Sequence, residues 1–377
     1  MKNKRIKILH VIGNLDGGGA ERQLQILVNN TDAERYHISI LFLHRGIGQY
    51  IFNEGIDLLQ IPRGRKWNIF LLWFRIYKAV MAYQPDILHL WLPEIVTIPA
   101  AFAGKLSGAY VISAARGSMR YVNSIELRLR DLASYIQHIM ADIIVPNFNP
   151  AKEPYFFRKL FFWKKGCIIR NAVVVDLLKT DPVPVPASLT NKGASFMLWS
   201  VGRIIYSKRF DILLDSFVEL RKEGLDISLV ICGTGIPKLT RQLKEKVRTN
   251  ALEEHVIFPG YRDDWHSLAQ NAHLFVLPST AEGMPNVLFE AMLLGIPCIA
   301  TDIPVVSDIV SHKVDVWLVK AGSRASLTSG IREMYQSASL RKQLAEAGRL
   351  YAQNFSIETM IRAYDTIYNN CDKSGVK

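Results

Sequence analysis

The feature that most constrains the fold is an alternation of short apolar runs with helical patterns, which occurs twice along the chain. In the first half, predicted strands lie at residues 7–12 and 38–43, within 84–91, and at 110–113 and 142–145, with helical patterns between them. Strands that alternate with helices form right-handed βαβ units around a parallel sheet. We therefore expect an α/β fold with a doubly wound sheet in this half.

The alternation restarts near residue 195. Predicted strands cover residues 196–201, 227–232, 255–258, 272–277 and 297–301, and predicted helices include 210–223, 238–249, 265–271 and 357–368. Between the two halves, residues 180–186 contain three prolines. Such a stretch cannot be a helix interior or a central strand, and it favours an extended linker.

The chain is accordingly predicted to have two domains, since 377 residues are too many for one ordinary core. Residues 1–175 form a Rossmann-like domain, residues 176–194 a proline-rich linker, and residues 195–356 a second Rossmann-like domain. A C-terminal helix, at about residues 357–377, is expected to pack back on the first domain.

Charge and cysteine content narrow the class of protein. The net charge is +12, and residues 1–170 hold 23 Lys and Arg against 12 Asp and Glu, giving +11. The first domain is thus predicted to meet a polyanion or an anionic membrane surface. Four scattered cysteines without CxxC spacing argue against a metal knuckle and indicate a reducing cytoplasm. No apolar stretch is long enough to predict a transmembrane helix or a signal peptide.

The loop after the predicted strand at 272–277 carries two glutamates. Glu282 precedes a helix expected to begin near Val287, and Glu290 lies about one turn inside it. Open α/β folds bind ligands at this edge of the sheet, and free N–H groups at a helix N-terminus attract phosphate. Both carboxylates can therefore face a ligand there. Taken alone, Glu282 could merely cap the helix and Glu290 could be solvated.

Cations and glycines follow the first two strands of the second half. Arg203 and Lys208 can offer a forked contact and a point charge to a diphosphate. Gly233 and Gly235 come directly after a strand, where a backbone can approach a flat ligand such as a nucleobase. The alternatives are a solvated basic loop and an ordinary tight turn.

A glycine loop near the start of the chain contains Gly18 and Gly19 and joins the first predicted strand to a helix. It lacks the full GxGxxG pattern, and an ordinary flexible connection is the alternative. No GxxxxGK[ST] motif occurs, which disfavours a P-loop nucleoside triphosphatase.

In this order and on these loops, the motifs resemble the retaining glycosyltransferases of the GT-B fold, specifically family 4, over nearly the whole chain. The resemblance implies two Rossmann-like domains that face a central cleft. The E-x7-E block is its most specific part. The matching segments are Gly18-Gly19-Ala20-Glu21-Arg22, Val201-Gly202-Arg203, Lys208, Leu213-Leu214, Gly233, Gly235, Phe258, Gly260-Tyr261, Glu282, Glu290-Ala291-Met292, Gly295-Ile296-Pro297 and Asn354-Phe355-Ser356.

The resemblance implies a role for each matching residue in binding a UDP- or GDP-linked sugar. Arg203 and Lys208 would hold the diphosphate, Glu282 would contact the donor sugar, and Glu290 would accept from ribose hydroxyls. The loop residues that would surround the distal phosphate and the sugar are Gly283, Met284, Pro285, Asn286 and Val287. The residues that would frame the base are Gly233, Gly235, Tyr261 and Arg262, and Gly18 and Gly19 are assigned to the same nucleotide sugar.

Members of this family usually retain the anomeric configuration without an obligatory metal, and no Asp-x-Asp motif occurs here. The resemblance therefore implies a retaining glycosyltransferase with no metal ligands and no cofactor. Attack would come from the same face as departure, with the donor phosphate helping to deprotonate the acceptor. Two cations and the dipole of a helix end can replace Mg²⁺ on the departing phosphate.

Departures from the family pattern concern the acceptor. Arg116 stands where many relatives carry a histidine, and it is either a phosphate or acceptor contact or a surface residue. Asn171 begins a common Asn-Gly-Val-Asp motif, but Ala172 replaces the glycine. His89 ends a strand that would face the cleft, and it is either a hydrogen-bonded structural residue or an acceptor contact. His89, Arg116 and Asn171 are therefore candidate acceptor residues.

Two segments predict contact with a membrane surface. Residues 155–165 interleave aromatic residues with cations and contain no acid, and residues 67–78 include two tryptophans in an amphipathic pattern. The alternatives are that the aromatic residues at 67–77 are partly core and that these runs bind single-stranded nucleic acid. Because family members commonly glycosylate lipid-linked saccharides, the prediction is an anionic membrane surface and no nucleic acid.

Together these inferences predict a cytoplasmic enzyme that associates peripherally with the inner face of the cell membrane. It would move a hexose-type sugar from a nucleotide sugar to a lipid-linked or saccharide acceptor in surface polysaccharide or glycolipid biosynthesis. The alternatives are a GT-B sugar-nucleotide epimerase and a non-catalytic protein that binds polyanions or nucleic acid.

Overall fold

The computed structural model describes residues 5–15, 18–45, 50–62, 68–94, 96–116, 125–149, 166–174 and 196–371, with the backbone alone for 125–131. The chain divides into two compact units: Met1–Ala172 with Ile357–Lys377, and Val173–Ser356. The predicted linker at 176–194 and the basic-aromatic segment at 155–165 lie outside the described residues.

The first unit contains a six-stranded sheet, whose described neighbours all pair in parallel in the order β5-β3-β1-β6-β7-β8. A short ladder of β2 and β4 stands apart from it. The strands are β1 (Ile6–Val11), β2 (Asn14–Leu15), β3 (Tyr36–Phe42), β4 (His44–Arg45), β5 (Asp57–Gln60), β6 (Ile87–Leu90), β7 (Tyr110–Ala115) and β8 (Ile143–Pro146). The helices are α1 (Gly19–Asn29), α2 (Ile69–Tyr83), α3 (Thr97–Leu106), α4 (Ile125–Met140) and, from the end of the chain, α11 (Ile357–Asn370).

The second unit repeats this architecture, with six parallel strands in the order β11-β10-β9-β12-β13-β14. Its strands are β9 (Phe196–Val201), β10 (Ile227–Cys232), β11 (Val256–Gly260), β12 (Leu274–Leu277), β13 (Cys298–Asp302) and β14 (Trp317–Lys320). Its helices are α5 (Phe210–Lys222), α6 (Pro237–Thr249), α7 (Trp265–Leu268), α8 (Asn286–Leu293), α9 (Arg324–Gln336) and α10 (Ala338–Ala352).

The central strands of the second unit are apolar on both faces, which is why each forms a continuous apolar run. In β9, Trp199 and Val201 belong to one buried cluster while Phe196 and Leu198 belong to another. Successive side chains of a strand point to opposite faces, so the sheet is buried between two layers. Both units are thus doubly wound α/β domains, as the alternation predicts.

Four strands were not predicted from the sequence: β2 and β4, which form the separate short ladder, and β5 and β14, which lie at the edges of the two main sheets. The side chains of β5 are largely exposed, and only one of the four residues of β14 is buried. β5 and β14 each pair on one side only and are partly solvated, so neither carries a continuous apolar run. The opposite edge strands, β8 and β11, do carry apolar runs, and both were predicted.

Strand order reverses once in each sheet. In the second unit, β10 pairs with one side of β9 and β12 pairs with the other. The loops that leave β9 and β12 therefore begin side by side, and the helices that follow them, α5 and α8, lie on opposite faces of the sheet. Open α/β sheets bind ligands at the carboxyl ends of the strands at such a switch point. This edge of the second unit is therefore the place to seek a site.

Candidate functional site

The loops after β9 and β12 meet through one close ion pair. Lys208 Nζ lies 2.6 Å from Glu282 Oε1, and the two side chains are only 16% and 10% exposed. The backbone joins the loops as well, because the N–H of Thr280 donates to the carbonyl of Ser207 at 2.8 Å. Two of the predicted site residues, 74 positions apart in the sequence, are thus brought together.

Glu282 does not cap the following helix. The N-cap of α8 is Pro285, which makes no side-chain cap hydrogen bond, and Glu282 contacts Lys208 instead. Because both charges are shielded from water, their attraction is stronger than that of an exposed pair. The capping alternative is therefore wrong, and Glu282 belongs to the charged centre of this edge.

The N-terminus of α8 offers fewer amides than expected. The N–H of Asn286 already donates to the carbonyl of Met284 at 3.0 Å, and Pro285 has no N–H. The N–H groups of Gly283 and Val287 have no acceptor among the residues that the structure describes. Met284 packs its side chain into the core. Fewer N–H groups of residues 283–287 can therefore bind an anion than the sequence predicts.

Glu290 is buried, not solvated. It lies on α8 with a side chain that is 3% exposed, and its Oε2 accepts a hydrogen bond at 3.0 Å from Nε2 of His266, which is equally buried. The solvated alternative for Glu290 is wrong. His266 was missed in the sequence, where a single histidine 24 residues from its partner carries no recognisable pattern.

The glycines after β10 have a structural reason. A Cβ on Gly233 would lie 2.0 Å from the carbonyl oxygen of Gly202, and one on Gly235 would lie 2.2 Å from that of Ile204. The N–H of Gly233 also donates to the carbonyl of Gly260 at 2.7 Å. The close approach is therefore made by the chain's own backbone. The approach of a nucleobase to these glycines stays a prediction beside this structural reason.

That packing fixes the loop that carries Arg203. Ile204 forms a parallel bridge with Gly235, and its N–H donates to the carbonyl of Thr234 at 2.9 Å. The Arg203 side chain is exposed and forms no hydrogen bond or ion pair with the described part of the chain. A cation on a fixed loop, with its donors open to solvent, is available to an anion.

The two residues assigned to the base lie just past β11. The Tyr261 side chain is exposed, while Arg262 donates to Asp264 through Nε at 2.7 Å. This ion pair raises the pKa of Arg262 and lowers the pKa of Asp264. Arg262 is therefore already paired in this structure, whereas Tyr261 presents a free aromatic face.

In the first unit, Gly18 and Gly19 form the start of α1. Gly18 is the N-cap, and its N–H donates to the hydroxyl of Tyr50 at 2.9 Å. A Cβ on Gly18 would lie 2.2 Å from a carboxylate oxygen of Glu21. The Glu21 side chain therefore packs over Gly18 at the first turn of α1.

His89 and Arg116 are held by α11. His89 is fully buried, with Nδ1 hydrogen-bonded to the hydroxyl of Tyr368 at 3.0 Å, and its Nε2 has no partner among the described residues. Arg116 donates to the hydroxyl of Tyr364 at 2.7 Å and lies over the ring of Trp91. Among the described residues, His89 is thus a buried and hydrogen-bonded side chain, and its contact with an acceptor substrate stays a prediction.

Asn171 completes this network, because its Oδ1 accepts from Arg116 Nη1 at 2.6 Å. Arg116 is thus half-buried and tied to two elements, which overturns the alternative of a plain surface residue. Burial lowers the pKa of His89 well below its usual value, and nearby His10 and Arg116 lower it further. His10, which lies beside His89 on the neighbouring strand β1, has its pKa lowered to about 3 by burial.

Among the residues that the structure describes, no group of three or more His, Cys, Asp or Glu is placed to hold a metal ion. No helix among them is long and apolar enough to cross a membrane.

Residues 186–351 match the model of the family described as Glycosyl transferases group 1. An uncharacterized glycosyltransferase of Haemophilus influenzae is 25% identical over 366 residues, covering 96% of this chain and 99% of the relative. The lipopolysaccharide core biosynthesis glycosyltransferase LpsD of Rhizobium meliloti is 22% identical over 370 residues, covering 97% and 98%. Together these findings support a group 1 glycosyltransferase.

Solved structures show the same fold. Anabaena HepE in complex with UDP and glucose has a TM-score of 0.79 at 18% identity, covering 97% of this chain and all of that one. WaaG, a glycosyltransferase involved in lipopolysaccharide biosynthesis, has a TM-score of 0.73 at 15% identity, covering 96% and 99%. The fold is that of the GT-B glycosyltransferases, with parallel sheets in two Rossmann-like domains.

Proposed function

We propose that this chain is a retaining, metal-independent glycosyltransferase of the family 4 type. It moves a hexose-type sugar from a UDP- or GDP-linked donor to a lipid-linked or saccharide acceptor in surface polysaccharide or glycolipid biosynthesis. The observation that carries the proposal is the shielded pair of Lys208 and Glu282 at the switch point of the second sheet, beside the N-terminus of α8. The relative named for lipopolysaccharide core biosynthesis and the neighbour that holds UDP with glucose support it.

The chemistry follows from where negative charge develops. The bond between the anomeric carbon and the diphosphate breaks, a bond from the same carbon to the acceptor oxygen forms on the same face, and the departing phosphate takes the acceptor proton. Lys208 and the exposed Arg203 stabilise that phosphate, with the N–H groups of Gly283 and Val287 at the helix end. No step needs a cofactor or metal, and no carboxylate is assigned as a covalent nucleophile.

Glu282 and Glu290 take the two ends of the donor. Glu282 contacts the sugar and holds Lys208 in place, since a lysine ammonium has three donors and can serve a carboxylate and a phosphate together. Glu290 accepts from the ribose hydroxyls. Tyr261 offers its exposed ring to the base.

We also propose that the first unit binds the inner face of the cell membrane, on the cytoplasmic side. Phe70 and Phe74 on α2 are 78% and 55% exposed, and Phe102 on the neighbouring α3 is 52% exposed. Arg75 and Lys78 are exposed on the same helix, and neither α2 nor α3 contains an acid. Aromatic residues interleaved with cations suit an anionic lipid surface. Trp73 and Tyr77 on the same helix are half-buried, so the alternative that the aromatic residues at 67–77 are partly core holds for these two and not for Phe70 and Phe74.

A screen of UDP- and GDP-sugars tests the function. One of them should raise the melting temperature of the chain, and that donor should release free nucleoside diphosphate in step with glycosylation of a lipid-diphosphate or saccharide acceptor. The product should keep the anomeric configuration of the donor and form equally well in excess EDTA. Failure of every nucleotide sugar to bind would indicate a polyanion-binding protein, and conversion of the donor sugar without release of nucleotide would indicate an epimerase.

A further inference from the structure

The carboxylate of Glu290 has a specific buried partner in His266. The two side chains come from α7 and α8, each is 3% exposed, and the bond from Nε2 to Oε2 is 3.0 Å long. Water competes little with a pair this deeply buried, so the hydrogen bond persists and restricts the rotamer of the glutamate. A carboxylate buried without such a donor would be costly.

Aromatic packing restricts the imidazole of this pair. The ring of His266 lies 4.2 Å from that of Trp265, which in turn lies 6.1 Å from Phe275 in the core of the sheet. The His266 side chain is also only 3% exposed. The imidazole is therefore held in place and acts as a fixed donor.

A fixed carboxylate can distinguish sugars by their hydroxyl groups. A carboxylate has about four acceptor positions, and the bond from His266 uses one of them. A site built to hydrogen-bond a hydroxyl rejects an analogue without it far more strongly than an apolar pocket can, because a buried polar group is then left unpaired. Because the carboxylate is held by His266, it cannot turn to another donor when the hydroxyl is missing, and the analogue loses binding free energy.

We propose that His266 is a positioning residue, which holds the carboxylate of Glu290 in the orientation that receives the ribose hydroxyls. The site thereby selects ribonucleotides over 2′-deoxyribonucleotides. This inference rests on the nucleotide-sugar function proposed above, and it adds a residue and a selectivity to it.

The test measures binding of UDP and of 2′-deoxy-UDP to the full chain by calorimetry, or of GDP and 2′-deoxy-GDP if GDP binds more tightly. His266→Met keeps the side-chain volume without a donor, and His266→Gln restores an N–H. The matched control is His255→Met, since His255 contacts Arg221 at the amino-terminal end of β11, away from the ligand edge. Melting temperatures show which variants are folded, and His266→Gln tests the same role if His266→Met does not fold.

We expect His266→Met to weaken UDP binding about tenfold and 2′-deoxy-UDP binding several-fold less, because the deoxynucleotide keeps only its 3′-hydroxyl, and therefore to reduce selectivity. His266→Gln should recover most of the loss, and His255→Met should bind like the wild type. An equal loss for both nucleotides in His266→Met, or no recovery in a folded His266→Gln, would overturn the proposal.

Glu290→Gln separates failure of the inference from failure of the function. If Glu290→Gln loses UDP affinity selectively and folded His266 variants do not, only the positioning role is overturned. If Glu290→Gln binds UDP like the wild type, the ribose role of Glu290 is wrong and the role of His266 falls with it. If the wild type binds no nucleotide, the function itself is wrong.

Discussion

Lys208 and Glu282, from loops that leave β9 and β12, form an ion pair of 2.6 Å with little exposure to water. In the absence of a ligand, each charge thus compensates the other at the edge where a diphosphate sugar is proposed to bind. The phosphates of a bound donor would take over or share the contact with the Lys208 ammonium. The Glu282 carboxylate would then face the donor sugar. The pair therefore couples the two ends of the proposed donor through one contact.

Replacing Lys208 by Met should weaken UDP binding by about tenfold or more, because a hydrogen-bonded charge contributes roughly 1.5–3 kcal/mol. Calorimetric titration of UDP measures this. The matched control is Lys246→Met, which breaks the ion pair of Lys246 with Asp215 on the helices of the same unit. Equal affinities for the two variants would contradict a diphosphate contact by Lys208.

Replacing Gly233 by Ala should destabilise the second unit by more than about 3 kcal/mol. The added Cβ would lie 2.0 Å from the carbonyl oxygen of Gly202, at a φ of +144° that L residues rarely adopt. Gly224→Ala is the control, since it has a φ of +88° with open space around the added carbon, and it should lose only about 1 kcal/mol. Urea unfolding measures both, and similar losses would show that the packing against Gly202 is unimportant.

Much of the fold was predictable from the sequence, because the central strands are buried on both faces and so form continuous apolar runs. The edge strands β5 and β14 were not, because the side chains of β5 are mostly exposed and those of β14 are mostly half-buried, so that neither forms a continuous apolar run. The pairing of Lys208 with Glu282 follows from two βα loops at one switch point, which motif order can indicate. What Gly233 and Glu290 contact could not be predicted, because Gly202 and His266 are distant in the sequence and adjacent only after folding.

Acid should destabilise the first unit partly through His10. Its pKa is about 3 in the folded chain because of burial, against about 6.5 when unfolded, so the unfolded state binds the extra proton between these values. The contribution of His10 to the free energy of unfolding is fully present above about pH 6.5. It is lost as pH drops toward 3, by up to about 1.4 kcal/mol per pH unit. His89 acts in the same direction.

His10→Gln keeps an acceptor for the Trp91 indole N–H, which His10 Nδ1 accepts at 2.9 Å. In this variant the free energy of unfolding, measured in urea between pH 7 and 4, should fall less steeply than in the wild type. The difference between the two curves removes the common contribution of the carboxylates. Parallel curves would mean that His10 is not held neutral by the fold.

The exposed face of α2 should govern part of the attachment to membranes. The double variant Phe70→Ser, Phe74→Ser should sediment several-fold less with anionic phospholipid vesicles than the wild type, while both should ignore neutral vesicles at moderate salt. Val314→Ser, Leu350→Ser is the matched control, because it removes two exposed apolar side chains from the second unit. Equal sedimentation of the two double variants would exclude this face, and a change in oligomeric state would identify it as a self-association surface.

The measurement that tests the account most directly is turnover of the nucleotide sugar by Glu282→Gln. Glu282 is assigned to the sugar, and glutamine keeps an oxygen that can hold Lys208 in place. This variant should therefore bind UDP about as tightly as the wild type and transfer the sugar about 100-fold more slowly. Glu254→Gln, an exposed glutamate of the same unit, should transfer at the wild-type rate. Undiminished transfer by a folded Glu282→Gln would contradict the proposed site.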